Sequence, residues 1–279
     1  LLAEWHRHVA GYTQSQSLYE KCISTIRSVK VANIQDILQK NALHLEIIVG
    51  LADVYRHQCL YKDCNGVLEE AKDIASIIQA DLSNTEKKSS SQSDDFVGVV
   101  VKARLAISEC RSSEAAFCLA KGEYDEAEIL YREALDIRRQ VLGLDHAKVA
   151  SSLCHLGNVA MLKNNFRKAT RLIGESLAMR ESIFPTNHPA VGASMYLKGR
   201  LAHMVGHYKE AGSLLSKCLQ IRRVVLGQKH PSVAQSLWAL GELTNDLGFP
   251  SKALDSFNDA FANTQRYFGE GGIHETIDW

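Results

Sequence analysis

Apolar residues in the second half of the chain recur at helical spacing, and the pattern repeats along the sequence. Ala211, Leu214 and Leu219, for example, share one face if their segment is a helix. Gly206 interrupts the pattern before them, and another run of apolar residues at helical spacing precedes that glycine. The pattern therefore predicts two helices joined by a tight turn, which is a helical hairpin.

The hairpin recurs with a fixed period of 42 residues, an interval typical of repeat architectures. The phrases NHPAVGA and KHPSVAQ place His188 and His230 at this spacing. The proline after each histidine suits the first turn of a helix, so we interpret the histidines as N-caps, with His146 as a third. Four segments align on the period, beginning at Lys121, Lys163, Val205 and Leu247.

The regularity of the pattern divides the chain into an irregular first part and a regular second part. Residues 1–82 predict two degenerate hairpins, because the apolar template persists but the intervals between copies vary. Residues 83–97 contain a polar tract and predict a flexible loop. Residues 98–271 predict four 42-residue units, and residues 272–279 the start of a further helix. The predicted fold class is all-α, a right-handed α-solenoid of helical hairpins.

The residue order within each unit resembles that of the tetratricopeptide repeat (TPR). A small residue such as Gly199 comes before the turn glycine, an aromatic residue follows two positions after that glycine, and alanine three positions later. The phrases ALDIRRQVLGLDHAKVA and CLQIRRVVLGQKHPSVA resemble the kinesin light chain type of this repeat, over residues 104–279. The resemblance implies a TPR superhelix whose concave groove binds short linear motifs, especially a tryptophan flanked by acidic residues. That family carries paired asparagines in its first helices, so we expect different ligand rules where this chain has Cys154-His155, Tyr196-Leu197 and Trp238-Ala239.

Composition excludes several classes of protein. Lysine plus arginine and aspartate plus glutamate number 32 each, so the chain lacks the basic excess of a nucleic-acid-binding protein. No apolar run reaches the length of a membrane span, so we expect no membrane insertion. Seven cysteines without CxxC pairs indicate reduced thiols and a cytoplasmic location.

Residues that suggest chemistry have structural interpretations in the repeat pattern. His57, Cys59 and Cys64 resemble part of a metal site, but the two cysteines occupy the turn and small-residue positions of a hairpin. The segment GEGGIHETID lacks the second histidine of HExxH and the spacing of a phosphate loop. We therefore expect no enzyme activity, no metal and no cofactor.

Charged residues also recur with the period. Arg138, Arg180 and Arg222 lie 42 residues apart, and we expect them to be solvated side chains that form weak ion pairs on the second helices. Arg111 and Glu114 take positions that are apolar in other copies. The first helix of the first copy is therefore expected to be shifted or partly exposed.

The concave face of such an array is lined by the first helices, and it is the predicted binding surface. Positions that flank the packed stripe of each first helix should face the groove. Aromatic residues, arginine and asparagine at these positions are typical of recognition surfaces. The predicted groove residues are Ser151, Cys154, Asn158, Met161, Tyr196, Arg200, His203, Gln235, Trp238, Glu242 and Asn245.

These observations favour a non-catalytic protein-interaction module that binds a peptide segment of a partner, as an adaptor or scaffold in a larger protein. One alternative is a structural spacer or assembly component of a cytoskeletal or ciliary complex. Another is a regulatory sensor array of a multidomain signalling protein. The expected partner is a protein or peptide, and self-association is left open.

Overall fold

A computed structural model describes residues 12–31, 33–86 and 94–268, and in these ranges the chain forms eleven helices and no strand. The predicted all-α solenoid of helical hairpins is confirmed as the fold class. The chain divides into two compact units, Leu1–Leu144 and Asp145–Trp279. The helices are α1 (Tyr12–Ser28), α2 (Ile34–His57), α3 (Tyr61–Glu86), α4 (Asp94–Ala120), α5 (Tyr124–Leu142), α6 (Ala147–Leu162), α7 (Phe166–Ile183), α8 (Pro189–Met204), α9 (Tyr208–Leu226), α10 (Pro231–Asp246) and α11 (Pro250–Phe268).

The first unit contains α1 and two hairpins. Helix α2 pairs with α3 and α4 pairs with α5, while α1 and α4 both pack against α2. Gly50 allows α1 to approach α2 closely, because a Cβ atom there would lie 2.6 Å from the ring of Tyr19. Leu45 and Ile48 of α2 are fully buried in the core that these helices share.

The first helix of the first 42-residue copy differs from its prediction. Glu114 in α4 is buried rather than exposed. Its carboxylate accepts hydrogen bonds from Arg111 Nη1 at 3.2 Å and from Cys110 Sγ at 3.1 Å. Two neighbouring donors therefore allow an acidic side chain to take a position that is apolar in other copies.

The loop that the sequence predicts at residues 83–97 is shorter in the structure. Helix α3 continues to Glu86, and α4 begins at Asp94. Phe96 packs against the core of the first unit, which explains why the helix starts before the apolar pattern becomes regular. The polar residues between these helices, and the segment 272–279 predicted to start a further helix, lie outside the described residues.

The second unit contains three hairpins, α6–α7, α8–α9 and α10–α11, which stack in chain order. The first helix of each hairpin is capped as predicted by a histidine. The imidazole Nδ1 of His146, His188 and His230 accepts the backbone N–H two residues on, in each case at 3.1 Å. Each cap thus satisfies a backbone N–H of the first turn that has no partner within its helix.

Small residues set the close contact of the two helices in each hairpin. A Cβ atom on Gly241 would lie 2.5 Å from the ring of Phe257, and one on Gly199 would lie 2.9 Å from Leu215 Cγ. The turn residues Gly206 and Gly248 have positive φ angles of 84°, the left-handed region that favours glycine. No helix in the described part of the chain has an apolar stretch long enough to cross a membrane.

Candidate functional site

The predicted groove residues of the second unit lie on α6, α8 and α10, and we call the exposed side of these three helices the first-helix face. Neighbouring first helices contact each other, α6 with α8 and α8 with α10. Gln235 and Asn245 are exposed on this face, whereas Met161 and Cys154 are buried. The remaining predicted residues are partly exposed, namely Ser151, Asn158, Tyr196, Arg200, His203, Trp238 and Glu242.

Two predicted groove residues belong to the interior instead. Met161 is fully buried in a cluster with Ile173 of its own hairpin and Leu201 of the next. Cys154 is buried, with Sγ 3.7 Å from both Ser194 Oγ and Arg180 Nη1. The stacking of α8 on α6 covers both side chains, because positions beside the packed stripe of one helix become the contact with its neighbour.

Tyr196 lies at the border between the first-helix face and the interior. Its ring packs at the edge of a buried cluster that includes Leu215 and Leu243. The guanidinium carbon of Arg222 lies 4.4 Å from the ring centroid, and that of Arg200 lies 6.0 Å away. Burial raises the pKa of the Tyr196 hydroxyl, which is therefore neutral at physiological pH. The arrangement combines an aromatic ring with two cations.

Trp238 occupies the matching position on α10 but is held by its own hairpin. The indole ring lies 4.6 Å from the ring of Phe257 in a tilted arrangement. Its Nε1–H donates to Glu242 Oε1 at 3.1 Å, so this carboxylate is already bound within the chain. Trp238 is therefore held by its own hairpin and is only partly exposed on the first-helix face.

His203 connects two of the first helices. Its Nε2 lies 2.8 Å from Asp246 Oδ2, which joins α8 to α10 across the first-helix face. The sequence placed His203 in the groove but gave no indication of this contact, because the aspartate is 43 residues away along the chain. The contact therefore ties together the two first helices that carry Tyr196 and Trp238.

The periodic arginines are buried, in contrast to the prediction that they are solvated. Arg138, Arg180 and Arg222 are 3%, 6% and 7% exposed. Arg180 Nη1 donates to the carbonyl oxygen of Ala190 and to Ser194 Oγ, both at 2.8 Å. The Arg180 guanidinium therefore has acceptors in the next hairpin and, through Ser151 Oγ at 3.0 Å, in its own, and this explains why a long charged side chain is tolerated in the interior.

The same contacts recur one period later. Arg222 Nη1 donates to the carbonyl oxygen of Ser232 at 2.6 Å and to Ser236 Oγ at 2.8 Å. In both copies the serine lies 14 residues after the arginine. This arginine–serine spacing is the sequence signal that would have identified the buried network.

The cysteines considered for a metal site have structural positions. Cys64 is buried and donates from Sγ to the carbonyl oxygen of Ala52 at 3.3 Å, and burial raises its pKa to about 11. Cys59 is at the turn, with a positive φ of 57°. His57 stacks on Tyr12 at a centroid distance of 5.6 Å. Across residues 12–31, 33–86 and 94–268, no three His, Cys, Asp or Glu side chains are grouped as metal ligands.

A cleft that the sequence did not indicate lies in the first unit. It has a volume of about 600 Å³ and is formed by α3, α4 and α5. Its apolar lining includes Leu82 and Ile107, and an ion pair between Arg111 and Glu133 at 3.3 Å lies at its wall. The mixed lining gives this cleft no distinct ligand chemistry.

Comparisons with known proteins agree with the repeat architecture. The family model described as Tetratricopeptide repeat matches residues 111–182 and 191–266, together more than half of the chain. A search of curated proteins gave no significant match.

Several solved structures have a similar fold. The crystal structure of BtubC (BKLC) from P. vanneervenii has a TM-score of 0.58 and 18% identity, covering 95% of this chain and 92% of that one. The Rap conjugation gene regulator of plasmid pLS20, in complex with the Phr* peptide, has a TM-score of 0.58 and 14% identity, covering 95% and 72%. A Podosopora anserina protein designated a kinesin light chain, with nearly identical TPR-like repeats, has a TM-score of 0.46 and 19% identity, covering 77% and 96%.

Proposed function

Because the chain belongs to the tetratricopeptide repeat family, we propose that it binds a peptide segment of a partner protein on the first-helix face of its second unit. The module acts as an adaptor or scaffold and carries out no catalysis. Family membership makes it a protein-interaction repeat module. The Rap regulator of similar fold holds a peptide, which supports a peptide as the ligand here.

The arrangement around Tyr196 is the observation that carries this proposal. Tyr196 is partly exposed, and Arg200 lies on the same helix one turn further on, where its described contact is with the Tyr196 ring. Aromatic residues and arginine are the side chains that most often dominate interface energy, with truncation costs of about 2 kcal/mol or more. The ring supplies apolar area and the guanidinium supplies a charge that an acidic group on the ligand can meet.

The neighbouring helices limit what the ligand carries. Glu242 on α10 disfavours a second acidic group beside Trp238, although its carboxylate also accepts the indole N–H. Asn158 on α6 and Asn245 on α10 offer amide groups for hydrogen bonds to a peptide backbone. We therefore expect a ligand of mixed character, with an acidic residue near Arg200. The seven cysteines are free thiols, which supports a cytoplasmic setting for the module.

A peptide-library selection on the purified chain tests this proposal. Peptides enriched on the parent should lose affinity on Tyr196→Ala and Arg200→Glu, by roughly thirtyfold for a hot-spot residue. Tyr124→Ala and Arg171→Glu are matched controls, because these side chains are exposed and lie on second helices. Circular dichroism should show that all four variants keep the parent's helix content.

One result would exclude the first-helix face as the binding site. It is that enriched peptides bind Tyr196→Ala and Arg200→Glu as tightly as they bind the parent. The second helices would then be the surface to test, and an assembly role would gain support.

A further inference from the structure

The three buried arginines differ in whether the chain provides a counter-ion. In the first copy, Arg138 Nη2 donates to Glu109 Oε2 at 2.8 Å. The Glu109 side chain is 34% exposed, so the carboxylate reaches the buried guanidinium from the solvent side. This first copy shows that a carboxylate at the surface of a first helix can pair with the arginine beneath it.

In the next two copies the residue at the Glu109 position is uncharged. Ser151 and Ala193 follow Glu109 at intervals of 42 residues, and both are partly exposed on the first-helix face. Arg180 Nη2 donates to Ser151 Oγ at 3.0 Å, which takes the place of the carboxylate. In the copy that carries Ala193, Arg222 instead faces the ring of Tyr196 at 4.4 Å.

Arg180 and Arg222 therefore have neutral partners throughout the part of the chain that the structure describes. Their acceptors are carbonyl oxygens, serine hydroxyls, a thiol and an aromatic ring. These groups satisfy the N–H donors but do not neutralise the two positive charges. Charges that are shielded from water are screened weakly, so they attract an anion at the surface above them.

We propose that Arg180 and Arg222 form two carboxylate subsites, filled by acidic side chains of a peptide bound on the first-helix face. Each ligand carboxylate takes the position that Glu109 takes against Arg138. This inference rests on the proposed function and adds the ligand's charge pattern to it. Ser151 and Ala193 mark the two entrances, and their small side chains leave room for a carboxylate.

The spacing of the two subsites sets the spacing of the acidic residues. Neighbouring packed helices lie about 8–10 Å apart. An extended peptide advances about 3.3–3.6 Å per residue, so two acidic residues about three positions apart can reach both arginines. The two subsites should therefore bind a peptide whose acidic residues are about three positions apart more tightly than a peptide whose acidic residues are adjacent.

The subsites can be tested without any ligand by supplying the carboxylate from the chain. Ala193→Glu and Ser151→Glu should each melt at a higher temperature than the matched variants Ala193→Gln and Ser151→Gln. The expected difference is on the order of 2–4 °C at low salt, and it should shrink as salt is added. Equal melting temperatures for the Glu and Gln variants at both positions would overturn the proposal.

Binding is tested with a defined probe, a fluorescein-labelled serine peptide that carries two glutamates about three positions apart. The parent should bind this probe at least about tenfold more tightly than the same peptide with glutamines. Ala193→Glu should reduce that preference more than Ala193→Gln does, because both side chains fill the entrance above Arg222 but only glutamate neutralises its charge, while the Arg180 subsite stays open in both variants. Equal affinity of the parent for both peptides would contradict the inference.

The two proposals fail in different ways. In one result, Ala193→Glu loses more of its preference for the glutamate probe than Ala193→Gln does, while the selected library peptides bind Tyr196→Ala and Arg200→Glu as tightly as the parent. That result would support the carboxylate subsites and reject the aromatic site. The reverse result, in which Tyr196→Ala weakens selected peptides but Ala193→Glu and Ala193→Gln bind the glutamate probe equally, would reject the subsites alone.

Discussion

At the scale of single residues, stability in the second unit depends on how closely the two helices of a hairpin approach. Gly241 faces Phe257, and the ring leaves no room for a Cβ atom, which would lie 2.5 Å away. Gly241→Ala should therefore lower the free energy of unfolding by about 1–3 kcal/mol through overpacking. Urea titrations followed by circular dichroism measure this change.

Gly174→Ala is the matched control for that substitution. Gly174 lies in α7, and nothing stands within 4 Å of its added Cβ atom. Alanine is favoured over glycine inside a helix, so this variant should gain about 0.5–1 kcal/mol. A Gly241→Ala variant as stable as Gly174→Ala would contradict the close packing at Phe257.

Residue roles were predictable where the repeat pattern constrained them and unpredictable where partners were distant. The sequence predicted the histidine caps and the small residue Gly199 because each depends on neighbours within its own hairpin. It failed for Arg180, since arginine is mostly exposed in proteins and two of its acceptors, Ala190 and Ser194, belong to the next hairpin. It failed for Met161 for the same reason, because Leu201 of the next hairpin covers that side chain.

At the scale of helices, α1, α2 and α3 meet around a buried histidine. His44 in α2 lies with Nε2 3.8 Å from Glu70 Oε1 of α3, and Arg27 of α1 donates to the same carboxylate oxygen. Burial lowers the pKa of His44, opposed by the charge of Glu70 and reinforced by Arg27 and Lys40. The folded state thus favours the neutral imidazole.

This burial makes the stability of the first unit depend on pH. Because the folded pKa lies below the ordinary value of about 6.5, the contribution is complete above that pH and is lost as the pH falls towards the lowered pKa. The free energy of unfolding should fall between about pH 7 and 5 in the parent, and more shallowly in His44→Gln. Denaturant titrations across this range measure the slope.

His207→Gln is the control, because the His207 side chain is 68% exposed. It should keep the parent's pH dependence. A parent slope that persists in His44→Gln would assign the pH effect to other groups.

Helix existence was predictable along the described chain, but two helix ends were not. The sequence assigned residues 83–97 to a loop because serine and charged residues dominate that stretch. Ser83 nevertheless continues α3, with its hydroxyl donating to the carbonyl oxygen of Gln79 at 2.9 Å. Polar residues extend a helix at little cost when the preceding turns are anchored by buried residues such as Leu82.

At the scale of the whole molecule, the 42-residue period predicted the fold class. It predicted only some of the residues that line the proposed ligand-binding surface. The period identifies which helices are equivalent, and equivalence predicts stacking. It does not identify which flanking side chains the stacking buries, as Cys154 illustrates. Membership of the tetratricopeptide repeat family adds that the chain is a protein-interaction module. It does not identify the ligand, which experiment must determine.

The polar residues 87–93 between α3 and α4 should be replaceable. We expect a Gly/Ser linker of the same length to change the melting temperature little, because loop-closure entropy varies slowly with length. A linker twice as long should cost only about 0.6 kcal/mol more. Calorimetry that shows a loss of several degrees with the equal-length linker would indicate that the tract packs against the helices.

The buried arginine column has a consequence for how such arrays diverge after duplication. Arg138 carries its own carboxylate from Glu109, whereas Arg180 and Arg222 have serine or alanine at the corresponding position. Exchange at this one position alters the charge that a repeat presents and leaves the buried arginine in place. Duplicated hairpins can therefore change their charge one at a time, with each exchange confined to a single codon and no helix required to move.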